Sequence, residues 1–258
     1  SVLLSSDFGT GFSAVTPPDY GGNSFKKVGI HSLTGSLFVA GNHGTLRSAD
    51  NGGSWNYVKD SLFLRKMLLH PSGTLYALMD SFPPAFQGAQ YYLYRSTDDG
   101  LHWHLLLDNY ITDFSISPLG EIFACFPYTT YRSTDNGNTW IVQNTGNYFS
   151  YFYANQANQL FAIGDADDLR ESVDFGLSWQ VVPKIPELSG EFYSYPGSLD
   201  FDPAGRMYAP ALPYGNYGFL FRTAHSTAAG AYLEGIVYKD ADGDCDTPDP
   251  EAPLHNWI

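Results

Sequence analysis

The amino-acid sequence predicts an all-β protein, a β-propeller made of four-stranded antiparallel blades. Three observations favour this fold class. An eight-residue pattern, S-x-D-x-G-x-x-W, occurs four times in the chain. Tight-turn signals recur at similar offsets between the copies, and no long stretch shows helical periodicity. Because a repeat spaced by roughly 40 residues is typical of propellers and related arrays, the repeat decides the fold class.

The copies, called the repeated turns below, each read as a turn that joins two strands. Their Asp and Ser side chains are expected to accept hydrogen bonds from turn amides about two residues further on. The Gly supplies a backbone angle that other residues resist, and the Trp offers a large apolar surface for burial. The residues that fix the repeat are Ser48, Asp50, Gly52, Trp55, Ser96, Asp98, Gly100, Trp103, Ser133, Asp135, Gly137, Trp140, Ser172, Asp174, Gly176 and Trp179.

The repeated turns resemble the Asp box, also called the sialidase or BNR repeat. In that family the box joins the third and fourth strands of a propeller blade, and its Asp and Trp are structural. The resemblance implies roughly six or seven blades in the complete ring. Of the seven arginines, Arg47, Arg95 and Arg132 precede repeated turns and belong to the repeat.

Between the repeated turns the chain reads as an apolar strand, a tight turn and a second strand that carries an aromatic residue. This pattern predicts four nearly complete blades over residues 25–182 and a fifth unit with three strands over residues 197–232. Residues 1–15 read as only the last two strands of a blade. A closed ring needs the missing strands either from the C-terminal unit or from residues upstream of Ser1, and truncation at the N-terminus is favoured. The propeller domain is therefore assigned to residues 1–232. Cys125 ends an apolar strand and is predicted to be a buried thiol.

Residues 233–258 break the repeat and carry alternating carboxylates at the ligand spacing of a calcium-binding loop. The stretch is similar to the opening of the prealbumin-like β-sandwich in the B domains of serine-aspartate repeat adhesins, which bind Ca²⁺ there. The resemblance implies Ca²⁺ as a cofactor, and nothing indicates an organic one. A solvated acidic linker without metal is the alternative. The expected metal ligands are Asp240, Asp242, Asp244, Asp246 and Glu251.

Composition and charge narrow the possible partners. The net charge of −14 argues against nucleic acid. No apolar run of about 18 residues occurs, so no membrane span is predicted. The calcium-type loop and the family resemblance predict a protein that is secreted or attached to the cell surface.

The loops at the ends of the strands opposite the repeated turns are rich in aromatic residues. Loops on a rigid scaffold commonly carry function, and exposed aromatic rings suit stacking on sugars or gripping a peptide. For any single ring, packing between loops is the simpler interpretation. For the face as a whole, binding is favoured. The candidate ligand-binding residues are Tyr20, Phe82, Phe86, Tyr128, Tyr148, Tyr193, Tyr195, Tyr214 and Tyr217.

No catalytic residue is assigned. Sialidases with these boxes need an arginine triad and usually carry an F-R-I-P motif before the first box, and that motif is absent here. A glycosidase with a pair of carboxylates stays open, because such a pair leaves no local signature. The acidic residues in suitable loops are Asp80, Asp108, Asp165, Asp167, Asp168 and Glu191.

Three functional hypotheses follow. The favoured one is a non-catalytic propeller module of a large secreted or cell-surface bacterial protein, followed by further domains of the same chain. Such a module would bind a glycan or a protein, or serve as a structural spacer. The alternative is a glycoside hydrolase whose active site lies opposite the repeated turns. A third, an intracellular or thylakoid assembly factor of the same propeller type, is disfavoured by the acidic calcium-type segment.

Overall fold

The computed structural model describes residues 2–5, 10–15, 17, 25–41, 44–59, 63–80, 91–164, 169–182, 199–201, 206–211 and 219–222. These residues form strands and turns without a helix, as the sequence predicts, so none of them belongs to a helix long and apolar enough to cross a membrane. The chain divides into two compact units. The first unit is Ser1–Ile111 with Asp135–Asn138, and the second is Thr112–Thr134 with Thr139–Ile258.

Antiparallel sheets in chain order make up the described part of the first unit. A two-stranded sheet, the predicted end of a blade, comes first. Two four-stranded blades follow it. The strands are β1 (Val2–Leu4) and β2 (Ser13–Val15), then β3 (Phe25–Ile30), β4 (Leu37–Gly41), β5 (Gly44–Ser48) and β6 (Asn56–Lys59), then β7 (Phe63–Leu69), β8 (Leu75–Asp80), β9 (Tyr91–Ser96) and β10 (His104–Leu107).

The second unit continues the pattern with two four-stranded blades and a three-stranded sheet in its described residues. The predicted four-stranded antiparallel blades are therefore confirmed. The strands are β11 (Asp113–Ile116), β12 (Ile122–Phe126), β13 (Thr129–Ser133) and β14 (Ile141–Thr145), then β15 (Phe149–Ala154), β16 (Leu160–Gly164), β17 (Leu169–Ser172) and β18 (Gln180–Val181), and finally β19 (Asp200–Phe201), β20 (Met207–Ala211) and β21 (Phe219–Arg222).

Each four-stranded blade has two different ends. In the second blade, Leu75 pairs with Ser96, which opens the repeated turn between β9 and β10. At the other end of the same strands, Asp80 pairs with both Phe63 and Tyr91. The end with the repeated turn is called the turn end, and the opposite end is called the loop end.

The core lies in the middle strands and against the tryptophans of the repeated turns. Every residue of β4, β8 and β16 is buried. In the first unit, Trp103 is only 8% exposed and belongs to one buried cluster with Phe38. In the second unit, Trp179 lies 4.6 Å from Phe149 between ring centroids. Burying rings of this size is a leading source of stability in such a fold.

Cys125 is fully buried on β12, as predicted from its apolar strand. Its sulfur lies 4.0 Å from the hydroxyl of Thr130. The thiol therefore packs as a small apolar group within the sheet.

One hydrogen-bond pattern shapes the repeated turns. The hydroxyl of Ser48 donates to Asp50 Oδ1 at 2.7 Å and accepts the amide N–H of Gly52 at 2.8 Å. Asp50 Oδ1 also accepts the amide N–H of Ser54 at 2.8 Å. The turns that begin at Ser96 and Ser172 repeat these bonds with nearly the same distances. The Ser and Asp thus satisfy backbone donors within the turn.

The sequence separation between the partners of these hydrogen bonds differs from the prediction. The short bonds that Ser48 and Asp50 accept from backbone amides span four residues, not two. The amide bond that spans two, from Asp50 N–H to Ser48 Oγ, is 3.4 Å long. The reason is the backbone, because Asn51 and Gly52 have φ of 55° and 88° and fold the chain back over the Ser hydroxyl. Sequence spacing alone does not reveal two consecutive left-handed residues.

The arginine before a repeated turn contacts the fourth residue of the next repeated turn. Arg47 Nε donates to the carbonyl of Asp99 at 2.6 Å, and its guanidinium also pairs with the Asp99 carboxylate. Arg95 donates to the carbonyl of Asn136 at 2.8 Å. In the second unit, Arg132 lies 4.5 Å from the ring centroid of Phe175. These three arginines join consecutive repeated turns and are committed to the turn end.

Candidate functional site

The loop end of the second blade exposes an arginine because of a β-bulge. The pairing between β7 and β8 shifts between Leu64 and Lys66, which leaves Arg65 as the extra residue. Leu64 is buried, whereas Arg65 is exposed. Bulges commonly redirect a side chain beside functional sites, and this one turns Arg65 toward solvent at the loop end.

Arg65 joins two tyrosines in a cluster, called the first-unit cluster. Its NH2 group lies 2.6 Å from the Tyr91 hydroxyl, and its Cζ lies 4.7 Å from the centroid of the Tyr91 ring. Tyr91 stacks on Tyr110 with centroids 6.2 Å apart and planes 25° from parallel. The amide N–H of Ile111 donates to the Tyr91 carbonyl at 3.2 Å and fixes the segment that carries Tyr110. The result is a cation over one ring of a stacked pair of tyrosines.

The second unit has a comparable group at its loop end, called the second-unit cluster. Tyr128 and Tyr148 have ring centroids 5.7 Å apart. Tyr128 is 57% exposed and has φ of 63°, an uncommon angle for a bulky residue. The amide N–H of Gly146 donates to the Tyr128 carbonyl at 2.7 Å and helps to hold this conformation.

An arginine and two amides lie beside this tyrosine pair. Arg170 NH1 donates to Asn147 Oδ1 at 2.5 Å, and Asn147 Nδ2 donates to Asn144 Oδ1 at 2.6 Å. A Cβ on Gly164 would lie 3.5 Å from the Tyr148 carbonyl oxygen and 3.7 Å from Arg170 Nε. Gly164 therefore lies next to both the Tyr148 carbonyl and the Arg170 guanidinium, which places the arginine beside the tyrosine pair.

The structure brings two of the predicted binding residues together, Tyr128 and Tyr148. The sequence analysis did not single out Tyr91, Tyr110 or Arg65. No sequence signal marks the bulge that exposes Arg65. The other predicted binding residues lie outside the described residues: Tyr20, Phe82, Phe86, Tyr193, Tyr195, Tyr214 and Tyr217.

The candidate carboxylates of the glycosidase hypothesis differ in position and in solvent exposure. Asp80, expected in a loop, is the last residue of β8 and is 0% exposed. A sugar cannot reach it, because the strand runs further than its composition suggested. Asp108 is exposed. Asp113 is buried and accepts the amide N–H groups of Phe114 and Phe152, both at 2.8 Å. Asp165, Asp167, Asp168 and Glu191 lie outside the described residues.

Backbone amides of the same turn stabilise the ionised carboxylates of two repeated turns. The amide N–H of Ser54 and then the Ser54 and Ser48 hydroxyls lower the pKa of Asp50 to about 2. The amide N–H of His102 has the largest effect on Asp98 and, with the His102 and Ser96 side chains, lowers its pKa to about 2 against the opposing effect of burial. Such groups stay ionised near neutral pH and are poor proton donors.

No group of three or more His, Cys, Asp and Glu side chains suited to a metal ion occurs among the residues that the structure describes. The predicted calcium ligands lie outside them: Asp240, Asp242, Asp244, Asp246 and Glu251.

Similar architectures occur among solved structures. The structure of YCF48 bound to D1 peptide aligns with 93% of this chain, and the alignment covers 75% of the YCF48 chain. The TM-score is 0.60 and the sequence identity is 16%. The GH74 enzyme of Niastella koreensis matches with a TM-score of 0.57 and 13% identity. The GH74 xyloglucanase of Xanthomonas campestris matches with a TM-score of 0.56 and 12% identity.

These similarities establish the fold alone, which is a β-propeller. The alignments with the two GH74 enzymes include 91% and 92% of this chain. They include only 47% of each enzyme, so the chain spans about half the length of these proteins. No protein-family model and no curated protein sequence matches the chain.

Proposed function

We propose that the chain is a non-catalytic β-propeller module that binds a glycan or a protein through the loop ends of its blades. One observation carries this proposal. Each unit has a pair of tyrosines beside an arginine at the loop end, Tyr91 and Tyr110 with Arg65 in the first unit. Aromatic rings with polar partners are typical of binding surfaces.

The different environments of the arginines at the two ends of the blades support the proposal. At the turn end, Arg47 and Arg95 contact the next repeated turn and are occupied within the fold. At the loop end, Arg65 is exposed, lies over the partly exposed Tyr91 ring and bonds to the Tyr91 hydroxyl. A charged group displayed over an aromatic ring without burial adds little to stability, which favours a role in recognition.

The neighbouring propellers are compatible with either class of ligand. The YCF48 structure holds a D1 peptide, and the Xanthomonas campestris protein is named as a xyloglucanase. The Asp-box resemblance of the repeated turns and the acidic segment at residues 240–251 support the wider setting. We infer a large secreted or cell-surface bacterial protein with further domains of the same chain and Ca²⁺ at that acidic segment.

A retention screen tests the proposal. The chain is applied to immobilised polysaccharides, glycans and peptides, with Ca²⁺ or with a chelator, and released sugars are assayed in the same samples. Retention without release supports the proposal. Released sugar overturns it in favour of a glycoside hydrolase, and no retention on any support leaves only the role of a spacer.

Matched variants locate the binding surface. Tyr128→Ala and Tyr110→Ala should each weaken retention on the ligand of their own cluster. Tyr57→Ala is the control, because Tyr57 on β6 is 40% exposed, the same fraction as Tyr110. Equal retention by all three variants and the parent would exclude the loop-end tyrosines.

A further inference from the structure

We propose that the first-unit cluster binds a uronic-acid residue of an acidic glycan. The sugar carboxylate would pair with Arg65 and the pyranose ring would lie against Tyr110. This inference rests on the proposed function, since it names the ligand class of one loop-end cluster.

The charge of the neighbouring strands favours an anionic ligand. The first strands of the two four-stranded blades of the first unit, β3 and β7, hold four of the 13 Lys and Arg residues of the chain and no Asp or Glu. The rest of the chain is strongly acidic, because the net charge is −14. A local group of basic residues on an acidic protein attracts anions, whereas the rest of the acidic surface repels them. The basic residues are Lys26, Lys27, Arg65 and Lys66.

The two basic strands lie side by side. A Cβ on Gly29 of β3 would come 2.6 Å from Cε of Met67 on β7, so the strands touch at this point. Lys27 and Arg65 are both exposed. The two exposed cations Lys27 and Arg65 therefore lie on neighbouring strands of the first unit.

The geometry of Arg65 suits a carboxylate. A guanidinium carries five N–H donors in a fixed plane, and the Tyr91 hydroxyl engages only its NH2 end, at 2.6 Å. Stacking on the Tyr91 ring, with Cζ 4.7 Å from the centroid, restrains that plane. A restrained guanidinium forms paired hydrogen bonds to a carboxylate at a smaller entropic cost.

The geometry of the tyrosines suits a sugar ring. Tyr110 is 40% exposed, and its plane is 25° from that of Tyr91. The exposed Tyr110 ring therefore presents an apolar surface next to the Tyr91 ring that carries the cation. The C–H face of a pyranose matches such a surface, and the tyrosine hydroxyls can bond to sugar hydroxyls. An acidic peptide would satisfy the charge but has no flat ring face to match the stacked pair, unless it is aromatic.

The test uses oligogalacturonides of defined length, with the same oligomers methyl-esterified as the neutral control. Binding to the full chain is measured by calorimetry in a chelator, which removes any contribution from Ca²⁺. The parent should bind the acidic oligomers and not the esters. Arg65→Ala should weaken binding by roughly ten- to a hundred-fold, the usual effect of a lost hydrogen bond to a charged group.

Three further variants sharpen the result. Tyr110→Ala should weaken binding about tenfold, whereas Tyr57→Ala should leave it unchanged. Asp108 is exposed two residues before Tyr110, so Asp108→Asn should strengthen binding by relieving repulsion of the anion. Thermal unfolding of each variant verifies that the fold is intact.

The outcomes separate this inference from the proposed function. Binding of neutral sugars or peptides without binding of acidic oligomers overturns the uronic-acid site and leaves the module a binder. Acidic oligomers that bind Arg65→Ala as tightly as the parent also overturn it. An acidic peptide that binds the cluster in place of the oligomers overturns the sugar assignment. Failure to bind any ligand overturns both proposals.

Discussion

The two ends of the same blades are built in different ways. At the turn end, the bonds of Ser and Asp recur in the turns that begin at Ser48, Ser96 and Ser172. Arg47 and Arg95 extend to the next turn. At the loop end, the connections differ in length and sequence, and the exposed rings of Tyr110 and Tyr128 stand out. The turn end is uniform because it holds the blades together. The loop end is free to vary because little stability depends on it.

This difference predicts that equivalent substitutions at the two ends will have unequal effects. Changes at the turn end should lower the free energy of unfolding, and changes at the loop end should alter binding. The following experiments run from the largest expected effect to the smallest.

Trp103→Ala should lower the free energy of unfolding by about 3–5 kcal/mol, because the indole is buried against Phe38 and its removal leaves a cavity. Urea unfolding followed by circular dichroism measures the change. Tyr110→Ala at the loop end is the control and should change stability by about 0.5 kcal/mol or less. Similar losses in both variants would contradict the distinction between the ends.

Gly100→Ala should lower the free energy of unfolding by about 1–3 kcal/mol. Gly100 has φ of 79°, and a Cβ there would lie 2.6 Å from the Phe38 ring. Gly146 at the loop end has φ of 92° but nothing within 4 Å of such a Cβ. Gly146→Ala should therefore lower the free energy of unfolding by about 1 kcal/mol, from backbone strain alone. The difference between the two melting temperatures isolates the steric contact, and equal losses would exclude it.

Arg47→Ala should lower the free energy of unfolding by about 1.5–3 kcal/mol, since the partly buried guanidinium donates to both the carbonyl and the carboxylate of Asp99. A double-mutant cycle with Asp99→Asn measures the coupling. Arg65→Ala at the loop end should barely change stability. A coupling near zero would mean that the Asp99 carboxylate adds nothing to the bond between Arg47 and the Asp99 carbonyl.

Acid should weaken the turn end gradually. The pKa of Asp50 falls from 3.8 to about 2 in the folded chain, through the Ser54 amide above all. A folded pKa below the unfolded one stabilises the protein above about pH 4, and this contribution disappears as pH falls toward 2. Urea unfolding at about pH 6, 4 and 2.5 should show the gap between the parent and Asp50→Asn narrowing with acid. A gap that is constant with pH would contradict the assignment.

The repeat made most of the fold predictable. The pattern of the repeated turns and the tight turns between them located four blades over residues 25–182, and β3 to β18 occupy that range. The burial of Cys125 followed from its apolar strand. The reach of the Ser48 and Asp50 bonds did not follow, because it depends on two left-handed residues in succession.

The candidate site was less predictable. Tyr128 and Tyr148 were identified from aromatic loops, and they do lie together. Arg65 could not be recognised, because its exposure depends on a bulge at one position of β7. Asp80 was misplaced, because the end of a buried strand carries no local signal that separates it from the loop that follows.

The sequence by itself determined the β-propeller fold class, the position of each repeated turn and the acidic character of the chain. A repeated local pattern suffices for this, because turn chemistry and strand alternation act between residues close in sequence. Only the tertiary structure decided which arginines contact the next turn and which one is exposed over a tyrosine. Those outcomes depend on strand register and on contacts between residues far apart in sequence, such as Arg65 and Tyr91.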